Sequence, residues 1–447
     1  MKKYLYPLVV LCLSLSLLAC GQAEDGSQTG DTQTEAAPFT EVDYAAAVKL
    51  DMSSDSVKQE VTVKAFVDGD TTHFHVPTSV SSSGVLKARY LAINTPESTG
   101  KIEEWGKAAS AFTKEKLSSA VSIVIESDDG NWNLDSTGGR YLVWVWYKTA
   151  TDTEYRNLNI EILQNGLAIA SSAANNRYGS TCTAAIAQAK TMKLHIYSGQ
   201  KDPDFYYGEA VELTLKELRC HPEAYNGVKV AFEGVITRNN DNTVYVEAYD
   251  EETDMYYGMA VYYGFGLTGE GLNILSVGNL SRIVGTVQYY ETGGTWQVSG
   301  LTYRQMKPDD PGNIQKISDG HTGAFRLIAP ETFAEGKVTV ETEEGSEAFG
   351  FAALAMNTTV SMENLTVRQV YTTSSTESSS YGAMTLTCEA DGKTITVRTN
   401  VLRDASGDLV TAEAYEGKVI DVRGLVDYYD GTYQIRIFTT DDITVHS

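Results

Sequence analysis

The spacing of apolar and polar positions divides the chain into stretches of different character. After an apolar run from Leu5 to Leu18, residues 21–42 are mostly Gly, Gln, Thr, Asp and Glu, the composition of a flexible tether. From Val61 to Val76 the pattern predicts strand, turn and strand, with Asp68-Gly69-Asp70 at the turn. Another strand over 85–93 runs into Asn94-Thr95-Pro96-Glu97, where proline ends the pairing. A helix over 105–119 follows, then strands over 121–126 and 140–148. A helix over 158–164, stopped by Gly166, and a last helix over 183–196 complete this part.

Beyond Tyr207 the helical period is lost and short strands rich in Tyr, Val and Thr take over. An internal repeat is visible there. Gly285-Thr-Val-Gln-Tyr289-Tyr290 followed by Thr295-Trp296-Gln297-Val298 recurs as Gly424-Leu-Val-Asp-Tyr428-Tyr429 followed by Thr432-Tyr433-Gln434-Ile435, and Gly227 to Gly234 echoes its first half. The repeat predicts two further small barrels, at 206–307 and 359–447, separated by a connector with some strand at 308–358.

Candidate chemistry concentrates before residue 141. Asp68, Asp70 and Asn94 offer the carboxylate and amide oxygens that a hard divalent cation takes. Glu97 is a carboxylate suited to general base work, and Arg89 and Arg140 are bidentate donors for a phosphoryl group. Each fragment alone reads more plainly: Asp-Gly is the commonest hairpin turn signal, and Asn-Thr-Pro-Glu is an ordinary loop. Their combination carries the inference.

These residues, with Glu104-Trp-Gly-Lys-Ala-Ala-Ser-Ala-Phe-Thr-Lys114, Asn165-Gly-Leu-Ala168, Ala187-Gln-Ala-Lys190 and Leu194-His-Ile-Tyr-Ser198, resemble the staphylococcal (micrococcal) nuclease family over roughly residues 58–200. The resemblance implies an OB-type five-stranded barrel with three helices at 43–205, and with the two OB-like all-β domains read from the repeat the chain is expected to be mainly β. It further implies Ca2+ held by Asp70, Asn94 and the Thr95 carbonyl with Asp68 beside them, water activated by Glu97, and phosphate gripped by Arg89 and Arg140. Cleavage of DNA and RNA to 3′-phosphate ends would follow. The sequence departs from the family at Asn94, where the family has aspartate, so one charge is missing and metal affinity should fall. After Gly166-Leu-Ala168 the family's stacking tyrosines are replaced by Ile169-Ala170-Ser171, leaving Tyr178 or Trp132 as candidate stackers.

Charge refines the picture. The net charge is −24, yet residues 58–200 hold 14 Lys+Arg and 14 Asp+Glu, while residues 201–447 hold 18 and 37. Nonspecific affinity for nucleic acid comes mainly from phosphate neutralisation, so electrostatic capture of substrate should be weak. On so acidic a half, the tyrosine-rich strands read as ordinary strand residues before they read as stacking platforms. These barrels are left with a protein or single-stranded nucleic acid as partner.

Lys2 and Lys3, the apolar run and Leu17-Leu18-Ala19-Cys20 resemble a lipoprotein signal over residues 1–20, which implies lipidation of Cys20 and anchoring at the extracellular face of a bacterial membrane. Cys182, Cys220 and Cys388 have no metal spacing and are expected to be buried, with one pairing open. His73 and His75 share a strand face expected to be solvated. Gly264-Phe-Gly266-Leu-Thr-Gly269 does not open a helix in a βαβ unit and reads as a glycine loop. The expectation is a monomeric Ca2+-dependent nuclease. Its alternative is a catalytically weakened lipoprotein that binds nucleic acid or protein and uses its barrels as scaffolds.

Overall fold

A computed structural model describes residues 40–446 apart from 172–174, 292, 343–344 and 377. The expected signal segment, the expected lipidation position Cys20 and most of the expected tether lie outside the described residues. From Asp43 onward the chain packs as one compact unit.

The short helix α1 (Tyr44–Ala47) is capped by Asp43, whose side chain accepts from the Ala46 N–H. Then come β1 (Lys58–Asp68), β2 (Thr71–His75), β3 (Val85–Tyr90) and β4 (Ile93–Asn94). They are followed by α2 (Gly106–Ser118), β5 (Ser122–Glu126), β6 (Tyr141–Lys148), β7 (Arg156–Asn157), α3 (Leu158–Gln164), β8 (Ile169–Ala170) and α4 (Gly179–Met192). The barrel closes in the order β1-β2-β3-β6-β5, with β5 returning to β1. One contact, β3 with β6, is parallel and the rest are antiparallel. β6 is buried through Val143–Tyr147 on both faces, because one lines the barrel and the other lies under helices, and its Trp144 and Trp146 are among the largest fully buried side chains.

The same closure appears twice more. In the second barrel Lys229–Asn240, Thr243–Asp250 and Met255–Tyr262 form a meander, Thr295–Ser299 pairs in parallel with Met255–Tyr262, and Leu280–Tyr290 closes onto Lys229–Asn240. In the third, Thr359–Thr372, Met384–Ala390 and Lys393–Thr399 play those parts, with Val419–Tyr429 and Thr432–Ile437 closing the ring. The fold is mainly β, with three closed five-stranded OB-type barrels, and the repeat seen in the sequence is the last pair of strands of the second and third. The glycine loop 264–269 is followed by a short helix, Glu270–Ile274, but the strands flanking that helix are not neighbours, so no βαβ unit forms.

Barrels two and three share one continuous apolar core, which also takes Phe333, Val340, Leu354 and Met356 from the segment between them. That segment holds a helix, Pro330–Glu335, and a hairpin of Lys337–Thr342 with Gly345–Gly350. Buried polar groups fix the junction. Glu247, in the second barrel, accepts from the Ala324 N–H (2.7 Å) and the Thr359 N–H (2.6 Å), both ahead of or within the first strand of the third barrel. Arg219 donates to the Gly258 carbonyl and to Asn357 Oδ1 (3.1 Å), and burial lowers its pKa to about 10. Cys182, Cys220 and Cys388 are buried free thiols, so the open pairing is not made.

Removing the Glu247 carboxylate strands two buried N–H groups, each worth about 1–3 kcal/mol. Glu247→Ala should therefore destabilise the chain by about 3 kcal/mol in urea unfolding. A loss well below about 1 kcal/mol would mean that water replaces the carboxylate at this junction.

Candidate active site

The candidate residues gather where β1 turns into β2 and β3 leaves the barrel. Asp68 ends β1 and pairs with Thr71 across the turn. At Gly69 a side chain is excluded by close approach, since a Cβ there would lie 2.9 Å from the Ala109 Cβ of α2 and equally close to Thr95. The Thr113 hydroxyl of α2 donates to the Gly69 carbonyl (2.6 Å), so the helix seats the turn.

Asp70 is 1% exposed. Its Oδ2 accepts from the Thr95 N–H (2.9 Å), and its Oδ1 accepts from Thr71 Oγ1 (3.0 Å) and Arg89 Nη1 (2.5 Å). Arg89 faces Thr71 in the β2–β3 ladder, and its other guanidinium nitrogen donates to Asn94 Oδ1. One cation therefore already joins the two side chains that the resemblance gives as metal ligands. Burial raises the Asp70 pKa above its ordinary value, against the lowering effects of the Arg89 charge and the Thr95 N–H.

Asn94 reaches this place through a kink at Ala92, which has φ +67°. The kink is pinned by Asn159, an amide buried in the apolar helix α3. Its Nδ2 donates to the carbonyls of Leu91 (2.9 Å) and Val143 (3.1 Å), and its Oδ1 accepts from the Val145 N–H (2.9 Å). β4 then pairs with β8, with Asn94 opposite Ile169, so the residues replacing the family's tyrosines stand directly beside Asn94.

Glu97 is exposed at the rim, and its side chain hydrogen-bonds to that of Asp68. Asp68 also accepts from the Ser98 hydroxyl (2.6 Å) and the Gly69 N–H (2.8 Å). Burial first, and then the neighbouring Glu97, push the Asp68 carboxyl up to about 7. The Glu97 loop is closed by the Glu103 N–H on the Glu97 carbonyl (2.9 Å) and packs on the start of α2. A Cβ on Gly106 would fall 2.1 Å from that carbonyl.

Arg140 stands apart from this cluster in its contacts. It immediately precedes β6, whose Leu142 pairs with Arg89, but its Nε donates to Asp135 Oδ2 (2.7 Å) across the 135–140 turn. Burial alone would raise the Asp135 pKa, yet the Thr137 and Arg140 hydrogen bonds and the Arg140 charge bring it down to about 2. Tyr178 is not a free stacking surface: it packs edge-on against Trp144 and Trp146 and donates to Glu126 (3.1 Å). Trp132 is half-buried against the core of the first barrel. His75 is exposed, and His73 is half-buried between Lys64 and Lys87.

Among the described residues no group of three or more carboxylate, imidazole or thiol side chains is arranged to hold a metal. The donors that converge at Asp70 and Asn94 are nonetheless hard oxygens, and the Thr95 hydroxyl beside them is buried without a hydrogen-bond partner. This set fits a hard cation provided that Arg89 moves off it and carbonyl oxygens complete the shell. Sequence reasoning missed the positioning residues Gly106, Thr113 and Asn159. Of these only Asn159 had a signal, an amide inside the apolar Leu158-Asn-Ile-Glu-Ile-Leu163.

The raised Asp68 pKa has a measurable consequence. The folded protein favours the protonated acid, so its stability contribution is full below 3.8 and is lost as pH rises through about 7. In chelator, Asp68→Asn should flatten the fall in stability across that window. A pH profile parallel to that of the unchanged protein would show that Asp68 ionises normally.

The comparison with known families covers part of this site: Arg89, Asn94, Thr95, Glu97 and Arg140 lie inside the matched region, while Asp68 and Asp70 precede it. Residues 87–199 match the family model described as staphylococcal nuclease homologue, so the chain carries a staphylococcal-nuclease-type domain.

Proposed function

We propose that the chain is a Ca2+-dependent phosphodiesterase that cleaves DNA and RNA, held at the extracellular face of the membrane through lipidated Cys20. One observation carries the enzymatic part. Asp70 and Asn94 converge on a single cation, at a distance that a guanidinium bridges, and Glu97 sits at the rim of the same turn within a nuclease-family segment. The lipid anchor rests on Leu17-Leu18-Ala19-Cys20 and the polar tether after it.

In this reading Asp70, Asn94 and the Thr95 carbonyl hold Ca2+, which when bound polarises a phosphoryl oxygen. The chain's own groups do the rest. Glu97, oriented by its hydrogen bond to Asp68, takes a proton from the attacking water. Arg89, displaced from Asp70 and Asn94, turns its paired N–H donors toward the phosphoryl oxygens, where negative charge grows as the water attacks. Arg140 adds a second guanidinium from the 135–140 turn, after exchanging Asp135 for phosphate. The near-neutral surroundings make this a site that depends on local contacts more than on long-range attraction.

The deciding experiment is cleavage of DNA by the full chain with calcium against chelator. Glu97→Gln should lower kcat by about 100-fold or more, the usual contribution of a general base. Cleavage indifferent to calcium or to this substitution would overturn the reading.

Asn94→Asp restores a charge to the ligand set and should tighten calcium binding about ten-fold, read by calorimetry. Unchanged or weaker binding would remove Asn94 from the ligands.

A further inference from the structure

The second barrel reaches into the candidate site. The chain leaving Glu97 passes through Gly100, whose N–H donates to Gln288 Oε1 (3.1 Å) and whose carbonyl accepts from Gln288 Nε2 (3.1 Å) and Ser299 Oγ (2.8 Å). The Gln288 carboxamide thus grips the loop as a strand neighbour would, with one donor and one acceptor. Both Gln288 and Ser299 are buried. Next in sequence to Gln288 come Tyr289 and Tyr290, which are 44% and 45% exposed. A cleft of about 770 Å3 opens between the two barrels, lined by Glu97, Lys107 and Lys114 on one side and Tyr262, Tyr289 and Tyr290 on the other.

The cleft carries no excess of positive charge. Lys114 is paired with Glu291 (2.5 Å), and Lys107, which donates to the Asn226 carbonyl (3.1 Å), shares the lining with Glu97. A polyanion would gain little here from phosphate neutralisation. The cleft offers aromatic faces instead, and Tyr289 is backed by Trp296 at 5.1 Å between ring centroids. Bases inside a duplex have their faces covered by one another, whereas those of a single strand are free to stack on tyrosine. From Glu97 to Gly100 the chain spans at most about 10 Å, so a strand with its phosphate at Glu97 is within a few nucleotides of the tyrosines.

We propose that this inter-barrel cleft binds single-stranded nucleic acid, its unpaired bases stacking on Tyr289 and Tyr290 while the strand runs on to the phosphate position beside Glu97. The assignment rests on the nuclease reading and makes the second barrel one wall of the substrate site. It separates these two exposed tyrosines from Tyr245 and Tyr257, which are buried core residues.

The test is a fluorescence-anisotropy titration of the full chain with a labelled single-stranded oligonucleotide, in chelator so that nothing is cleaved. Tyr289→Ala with Tyr290→Ala should weaken binding about ten-fold or more, and Tyr→Phe at both positions should retain it, because stacking needs the ring and not the hydroxyl. Affinity should change little between low and moderate salt, and a duplex of the same sequence should bind more weakly than the strand. Equal affinity of the alanine variant and the unchanged protein would overturn the proposal, as would a steep salt dependence that is independent of the tyrosines. Tyrosine-dependent binding without calcium-dependent cleavage would remove the nuclease reading alone. Cleavage with tyrosine-independent binding would remove the cleft alone.

Discussion

A carboxylate out of contact with water must find its partners inside the protein, and Asp70 is that carboxylate here. Its needs organise the site. One oxygen takes the Thr95 N–H, which ties the loop after β4 back to the first hairpin and so sets the position of Glu97 two residues on. The other takes Arg89, whose remaining donor draws in Asn94. Had position 94 carried a second carboxylate, two anions would share the guanidinium. With asparagine the cluster is charge-balanced as it stands, one anion against one cation. In the function proposed above, a calcium ion would enter by exchanging with Arg89, and the arginine freed by that exchange would be the one turned to the phosphate.

The rest of the architecture serves this constraint from a distance. A closed five-stranded barrel leaves no sheet edge and gives a stiff rim. The parallel contact of β3 with β6 brings the strand bearing Arg89 alongside the strand that Arg140 precedes. The second and third barrels repeat the closure for another purpose. They are welded by a common core and by buried polar groups such as Glu247 and Arg219, and they carry most of the negative charge. That charge does not stop the second barrel from offering aromatic surface where it meets the first.

Much of the first barrel was legible in the sequence because its signals are local. The α3 boundaries emerge from apolar periodicity followed by Gly166, which takes φ +67° as a glycine after a helix should. Other features depend on tertiary contacts that no local pattern announces. The strand expected over 85–93 is broken at Ala92, and an alanine with positive φ has no sequence signature; the Asn159 amide holds it there. The last helix begins at Gly179, four residues earlier than its apolar spacing indicates, because its first turn is small and polar. It ends at Met192 because Lys193 adopts a left-handed conformation. At the site, the residue types were readable but their pairing was not. Arg89 and Arg140 looked like two hands on one phosphate, whereas in the folded chain each is held by a nearby acid. The segment 308–358 reads in the sequence as a connector with some strand, yet its Phe333 and Leu354 enter a core.

The grip of Gln288 on Gly100 joins residues 188 positions apart. A contact of that separation closes late, since the intervening chain must be synthesised and its non-local strands paired before it can form. The strand pairings of the first barrel do not involve the second, so its core can assemble while the loop following Glu97 still lacks its outer support. The turn that holds Asp68 and Asp70 is local and early, whereas the wall beyond Glu97 is remote and late. The rim of the site is therefore finished only when the second barrel has folded, and the order of events along the chain becomes part of how the site is built.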